Sequence, residues 1–491
     1  METRRNVRLR TAALALALAS VTAACGVKVA DAGRLGTGQL TPQGDVLGSE
    51  ITPSSSTVPP TTAPPPADVE VIGDDGSKLN DVVRNAIADL QGWWESEFPD
   101  TYDGQEYEPV SGGFFAIDSS TSTAGLPCAL KDIESVLNNA YYCPPDDAVA
   151  WDQETLFPEL ATKYGDFTVA VVLAHEWGHA IQARAEVEES TVTMELQADC
   201  FAGSWVQHVR TDEDSRFDVS IEDLDLALAG ILSLRDAPGS PSTDPNAHGS
   251  GFDRVGAFQE GFEDGSTRCA NYTDGDPEPY QFEFSDQTEL DSGGDLPFDE
   301  INTSAFKSLE LFWADEFPKV SDGEAWEALG DPVAFGPDDP PSCNGNVVDQ
   351  FRLFYCVPDR FVGFDDQETM PEAYKLGDFA VGALYGTQYG LAVQDELGLK
   401  AVSERAATLR GDCYMGAWAG ALLPTAATNQ GEELPYELIL SPGDLDEAVA
   451  VLLSFRTDAD RNRQGPGFER VQAFRAGVID GAKDCATLKP Q

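Results

Sequence analysis

Residues Val169 to Arg184 read VAVVLAHEWGHAIQAR, and the rest of the chain is best understood outward from this stretch. The apolar spacing predicts a helix over Phe167–Arg184. On a helix His175 and His179 lie one turn apart on the same face, so both imidazoles reach one metal ion with Glu176 beside them. The chain has only 4 His, which makes two histidines merely packing on an apolar helix the weaker reading. A catalytic zinc takes three protein ligands and leaves its fourth position to water. Glu195, in Glu195-Leu196-Gln197-Ala198-Asp199-Cys200, is the expected third ligand if a helical hairpin returns the chain. An exposed helical glutamate is the competing reading. Asp199, one turn beyond, is placed to hold a ligand imidazole through its ring N–H, or else to cap or pair locally.

Three ordered motifs carry a resemblance: His175-Glu176-Trp177-Gly178-His179-Ala180 followed by Gln182, the run from Glu195 to Trp205, and His248-Gly249-Ser250 ahead of Arg254. Together they resemble the bacterial neutral zinc metallopeptidase family, which belongs with the gluzincin-like HExxH peptidases. The resemblance implies a zincin-like domain and a zinc-dependent endopeptidase, with His175, His179 and Glu195 as ligands and Glu176 as base. Zinc lowers the pKa of its bound water to about 7, and Glu176 takes the proton and returns it to the leaving amine. His248, at a Gly-rich turn before a helix, is the candidate donor to the oxyanion, with a simple helix-capping role as the alternative. His208 reads as a solvated residue.

A tandem duplication surrounds this site. Lys163-Tyr164-Gly165-Asp166-Phe167 recurs as Lys375-Leu376-Gly377-Asp378-Phe379, Glu97-Phe98-Pro99 as Glu316-Phe317-Pro318, and Arg254-Val255 as Arg470-Val471, at offsets between 212 and 219 residues. Two copies of one domain are therefore expected, at 79–273 and 296–488, joined by an acidic linker at 274–295. The second copy has lost the chemistry: Thr387, Gln388 and Leu391 stand at His175, Glu176 and His179, Thr408 at Glu195, and Gln464 at His248. One zinc per chain, in the first copy only, follows. Such a copy can bind a partner, shield the active face or stabilise its neighbour, and the sequence does not choose.

Each copy reads as α+β and predominantly helical. Helices are expected at Leu79–Phe98, stopped by Pro99, then at Phe167–Arg184, Thr193–Val209, Ile221–Leu234 and Phe252–Phe262; strands at Phe114–Ile117 and Ala148–Trp151. Each copy holds four Cys at matching places, and the parsimonious pairing, supported by parity within each copy, is Cys128–Cys143, Cys200–Cys269, Cys343–Cys356 and Cys413–Cys485. An even cysteine set agrees with export.

The N-terminus agrees too. Arg4, Arg5, Arg8 and Arg10 precede an apolar run too short to span a bilayer, which marks 1–24 as a signal peptide. Val21-Thr22-Ala23-Ala24-Cys25 resembles a lipobox, with Thr22 where Leu is usual, and implies lipidation of Cys25. Residues 25–78, rich in Pro, Ser and Thr, are expected to be a stalk without a core. The 491 residues carry 31 Lys+Arg against 85 Asp+Glu, a formal charge of −54. That balance disfavours nucleic acid and anionic lipid surfaces as partners, so membrane contact is expected through the lipid alone. The expected protein is an extracytoplasmic, lipid-anchored peptidase acting on peptide or protein. The alternatives are a lipid-anchored scaffold of two non-catalytic domains and an enzyme cutting a cell-wall amide. Acidic loops such as Asp212-Glu213-Asp214 lack EF-hand spacing and read as solvated surface.

Overall fold

The computed structural model of the chain describes residues 46–49 and 65–490, apart from 131–132, 134–135, 213, 245, 402, 425–434 and 457. The expected signal segment, Cys25 and most of the Pro/Ser/Thr stretch lie outside the described residues. A short strand β1 (Val46–Ser49) precedes helix α1 (Lys78–Thr101). Strands β2 (Phe114–Ile117), β3 (Ala140–Cys143) and β4 (Ala148–Asp152) follow, then helices α2 (Leu156–Tyr164), α3 (Asp166–Ala185), α4 (Thr191–Thr211), α5 (Ile221–Ser233), α6 (Gly251–Asp264) and α7 (Ser266–Ala270). The fold is α+β and predominantly helical.

Helix α3 is buried over most of its circumference, from Phe167 through Gln182 with only His179 partly open, as expected of a helix that is apolar nearly all round. Gly165, at φ +83°, separates it from α2. Around it pack α1, α2, α4, α5 and β3. Gly178 sets the distance to α4, because a Cβ there would stand 2.6 Å from the Cα of Ala198. Helix α1 is capped by Ser77 and buries Val83, Ile87, Leu90, Trp94 and Phe98. It runs through Pro99 to Thr101 rather than stopping there, and the Tyr102 N–H closes its end on the Phe98 carbonyl.

In the sheet, β2 runs parallel to β4 and β3 antiparallel to it, with Ala140 opposite Trp151 and Cys143 opposite Ala148. The outer side of β3 carries no further strand among the described residues.

After α8 (Gln287–Ser292) the same order of elements recurs. Helix α9 (Phe298–Val320) is followed by β5 (Val333–Phe335), a small β6–β7 hairpin (Ser342–Cys343 and Asn346–Val347), β8 (Leu353–Cys356) and β9 (Phe361–Asp365). Then come α10 (Thr369–Ala373), α11 (Asp378–Glu396), α12 (Glu404–Ala421), α13 (Asp444–Ser454), α14 (Asp458–Gln464) and α15 (Gly467–Asp480). Strand β5 is parallel to β9 and β8 antiparallel to it, as in the first half, but here β1 lies antiparallel along the outer side of β8, Val46 opposite Cys356. Four disulfides join Cys128 to Cys143, Cys200 to Cys269, Cys343 to Cys356 and Cys413 to Cys485, the parsimonious pairing expected.

The two halves meet through reciprocal contacts of α5 and α6 with α13 and α15. Asp446 of α13 accepts from the backbone N–H groups of Gly251 (3.0 Å) and Phe252 (2.7 Å) at the start of α6. Asp225 of α5 does the same for Gly467 (2.9 Å) and Phe468 (2.7 Å) at the start of α15. Arg235 pairs with Asp446 at 2.9 Å and Arg456 pairs with Asp225. Each half thus caps a helix of the other, the pattern of an isologous interface. No helix among the described residues is long and apolar enough to cross a membrane.

Candidate metal centre

Helices α3 and α4 supply the centre. His175 and His179 lie one turn apart on α3, and α4, held close by Gly178, brings Glu195 across to them. Glu195 Oε2 stands 3.3 Å from His175 Nε2, and Glu195 Oε1 stands 3.4 Å from His179 Nε2. Ligands about 2.0–2.1 Å from one tetrahedral zinc are separated by about 3.3–3.4 Å, so these spacings are those of the edges of a zinc coordination shell. Glu195 Oε2 is buried and accepts no hydrogen bond, as an oxygen reserved for an ion would be. The donor set of two imidazoles and one carboxylate leaves a fourth position free, and the residues present fit zinc.

The two imidazoles are held from behind. Asp199 Oδ1 lies 2.7 Å from His175 Nδ1, and both Asp199 oxygens take hydrogen bonds from Arg254, at 2.7 Å from Nε and 3.0 Å from Nη2. His179 Nδ1 meets Gln182 Oε1 at 2.9 Å, and Gln182 is itself fixed by donating to the Met194 carbonyl at 2.6 Å. Such partners set which ring nitrogen faces the metal. Burial opposes ionisation of Asp199, but Arg254 and His175 outweigh it and hold the carboxyl below the usual range. Burial likewise works against a charged His175, yet Asp199 and Glu195 raise its pKa to about 10. Without an ion the cluster therefore retains a proton that a metal must displace.

Glu176 is buried next to the ligands, and its Oε2 accepts from the Tyr142 N–H of β3 at 2.9 Å. These groups open into a cavity of about 680 Å³, lined also by His248, Arg254 and the segment Asn138–Tyr142. His248 is half exposed on this cavity, with Nδ1 3.5 Å from Asp236 Oδ1, while Asp236 Oδ2 accepts from the His248 and Gly249 N–H groups at 2.9 Å each. His208 lies away from the site. It is stacked on Trp93 at 5.5 Å and stands 3.6 Å from Asp212, so it is a packed residue rather than a merely solvated one.

Arg254 and Gln182 are the supporting residues that sequence reasoning left without a role, although both stand inside the quoted motifs. The signal was present for Arg254, since Arg470 recurs with Asp412 in the second half. There Arg470 donates to both Asp412 oxygens at 2.8 Å and to Gln464 at 3.1 Å. Asp412 lacks an imidazole partner, and burial pushes its carboxyl above the usual range despite Arg470. Thr387, Gln388, Leu391 and Thr408 line a residual space of only about 20 Å³, room for about one water.

A buried helix bearing HExxH, a glutamate from the next helix and a histidine held by a carboxylate together form a group able to hold a metal ion. Residues 61–272 match the family model described as "Putative neutral zinc metallopeptidase". Among curated relatives, the chain is similar to the uncharacterized protein YpfJ of Escherichia coli strain K12, 30% identical over 156 residues, which is 27% of this chain and 53% of the relative. It is equally similar to the uncharacterized protein Rv2575 of Mycobacterium tuberculosis strain H37Rv, 30% over 152 residues, 26% of this chain and 52% of the relative. The chain spans about half the length of these relatives. No solved structure matches it.

Proposed function

We propose that residues 79–273 form a zinc-dependent peptidase domain and that residues 296–488 are a second copy of it without zinc. The observation that carries this reading is the convergence of His175 Nε2 and His179 Nε2 on the two oxygens of Glu195, with Glu176 alongside. Zinc held there supplies Lewis acidity, which polarises a peptide carbonyl and acidifies a water molecule towards a pKa of about 7.

The chain's own groups do the rest. Glu176, fixed by the Tyr142 N–H, takes the proton of the attacking water and passes it to the departing amine nitrogen, so that one peptide bond and one water become a carboxylate and an amine. His248, steadied by Asp236, faces the cavity and donates to the oxygen on which charge develops. Apart from the Tyr142 N–H, which is given to Glu176, the side of β3 away from β4 offers an extended substrate backbone groups to pair with. Residues 46–49 lie in this manner on β8, the corresponding strand of the second half, which supports that reading.

Export, with a lipid on Cys25 as the membrane anchor on the extracytoplasmic face, is part of the same proposal. The four disulfides support it.

The test is digestion of an unfolded protein by the parent chain and by Glu176→Gln, with peptidoglycan assayed in parallel. The substitution is expected to lower the rate by about 10²- to 10⁴-fold while leaving the zinc content unchanged. Cleavage that survives the substitution, or a zinc-loaded parent that cuts neither material, would remove the peptidase reading in favour of a binding role.

A further inference from the structure

A second group of metal-binding side chains lies where the chain enters its second half. Asp295, Asp378 and Glu447 each bring a carboxylate oxygen within 4.8 Å of the others. Asp378 begins α11 and is only 3% exposed. Its Oδ2 accepts from the Leu296 N–H at 2.8 Å, but its Oδ1, fully enclosed, meets no donor. Asp295 accepts from the Asp378 N–H at 3.1 Å and Glu447 from the Phe379 N–H at 2.9 Å. Asp444 stands at the edge of the group, and a cavity of about 600 Å³ gives access to Asp378 and Asp444.

Helix capping does not account for so many acids. A helix N-terminus carries about half a positive charge, against three carboxylates, and no lysine or arginine pairs with any of them among the described residues. The donors are all oxygens, with no histidine or cysteine, which selects a hard cation. Calcium accepts several carboxylates at about 2.3–2.6 Å, whereas magnesium prefers to keep most of its water. Among the described residues the first half gathers no such group of carboxylates around Asp166, the counterpart of Asp378.

We propose that Asp295, Asp378 and Glu447 bind one calcium ion, which ties the segment entering the second half to the starts of α11 and α13. The neighbouring residue on α13, Asp446, caps α6 of the first half, so the ion would also steady the contact between halves.

Calcium binding to the intact, zinc-replete chain is measured by equilibrium dialysis in physiological salt, with thermal melts at about 1 mM calcium and without it. About one tightly held calcium per chain and a rise in Tm of at least about 2 °C are expected, and both should be lost in Glu447→Gln and Asp378→Asn. Glu195→Ala should keep the calcium while losing zinc, which separates this site from the peptidase centre. No calcium bound by the parent at millimolar concentration would show that the carboxylates merely share protons. Undiminished binding in a folded Glu447→Gln would place the ion elsewhere on the acidic surface. Either result overturns the proposal, and the parent measurement decides even if the variants fail to fold.

Discussion

Asp199 serves two partners at once, and the second half shows which service is structural. Both halves keep the buried Asp–Arg pair, Asp199 with Arg254 and Asp412 with Arg470, but only Asp199 also holds an imidazole. Removing one member of a buried pair strands the other charge, so Arg254→Ala and Arg470→Ala should each destabilise by about 3–5 kcal/mol. Only the first is expected to weaken zinc binding, by about 10- to 100-fold, as Asp199→Asn should also do. Equal zinc affinity in all of these variants, read by competition with a chelator, would refute the supporting role. Asp253, near the start of α6, gives a pH signature. Burial raises its pKa to about 6 against the opposing hydrogen bonds of Tyr280 and Ser250. Because the folded state then holds a proton that the unfolded chain has released, its contribution to stability falls as pH rises from about 4 to about 6. The Tm of the parent relative to that of Asp253→Asn should fall over that window and stay flat above it. At this scale His175, His179, Glu176 and Glu195 are legible because their signal is spacing along one or two helices. Gln182 and Arg254 were not assigned roles, because hydrogen bonds made across the fold leave no periodicity.

Most elements follow from local chemistry. Gly165 and Gly377, both at positive φ, start the two central helices at matching places, and the apolar runs behind them fix the cores. The strand β3 escaped the pattern because Ala140–Cys143 is too short to alternate convincingly beside Pro144. Helix α2 escaped because Pro158 interrupts nine residues, although a proline in a first turn is tolerated. Strand β1 lies in a stretch whose composition reads as stalk, and only its partner β8 makes it a strand. The disulfides follow the parsimonious pairing of four cysteines at matching places in each copy, although four cysteines allow three connectivities. Cys200–Cys269 ties α4, which carries Glu195 and Asp199, to α7. Replacing both cysteines by alanine should cost about 2–4 kcal/mol in denaturant unfolding, and an unchanged midpoint would contradict that estimate.

At the scale of the whole molecule, the cavity beside His175, His179 and Glu195 is lined by residues 138–254 and, among the described residues, by none of the second half. Its contact with the first half is a cap on α6, the helix that follows His248 and carries Arg254. That geometry favours stabilisation over shielding. A chain cut after Asp295 should therefore melt at lower temperature and cleave no faster, and a faster truncated enzyme would restore the shielding view. The central claim, that the first half alone holds a zinc site built on His175, His179 and Glu195, is tested most directly by the zinc content of the purified chain beside Glu195→Ala. About one zinc per chain in the parent and far less in the variant is the predicted result; no zinc under metal-replete conditions, two per chain, or one that survives the substitution would contradict it.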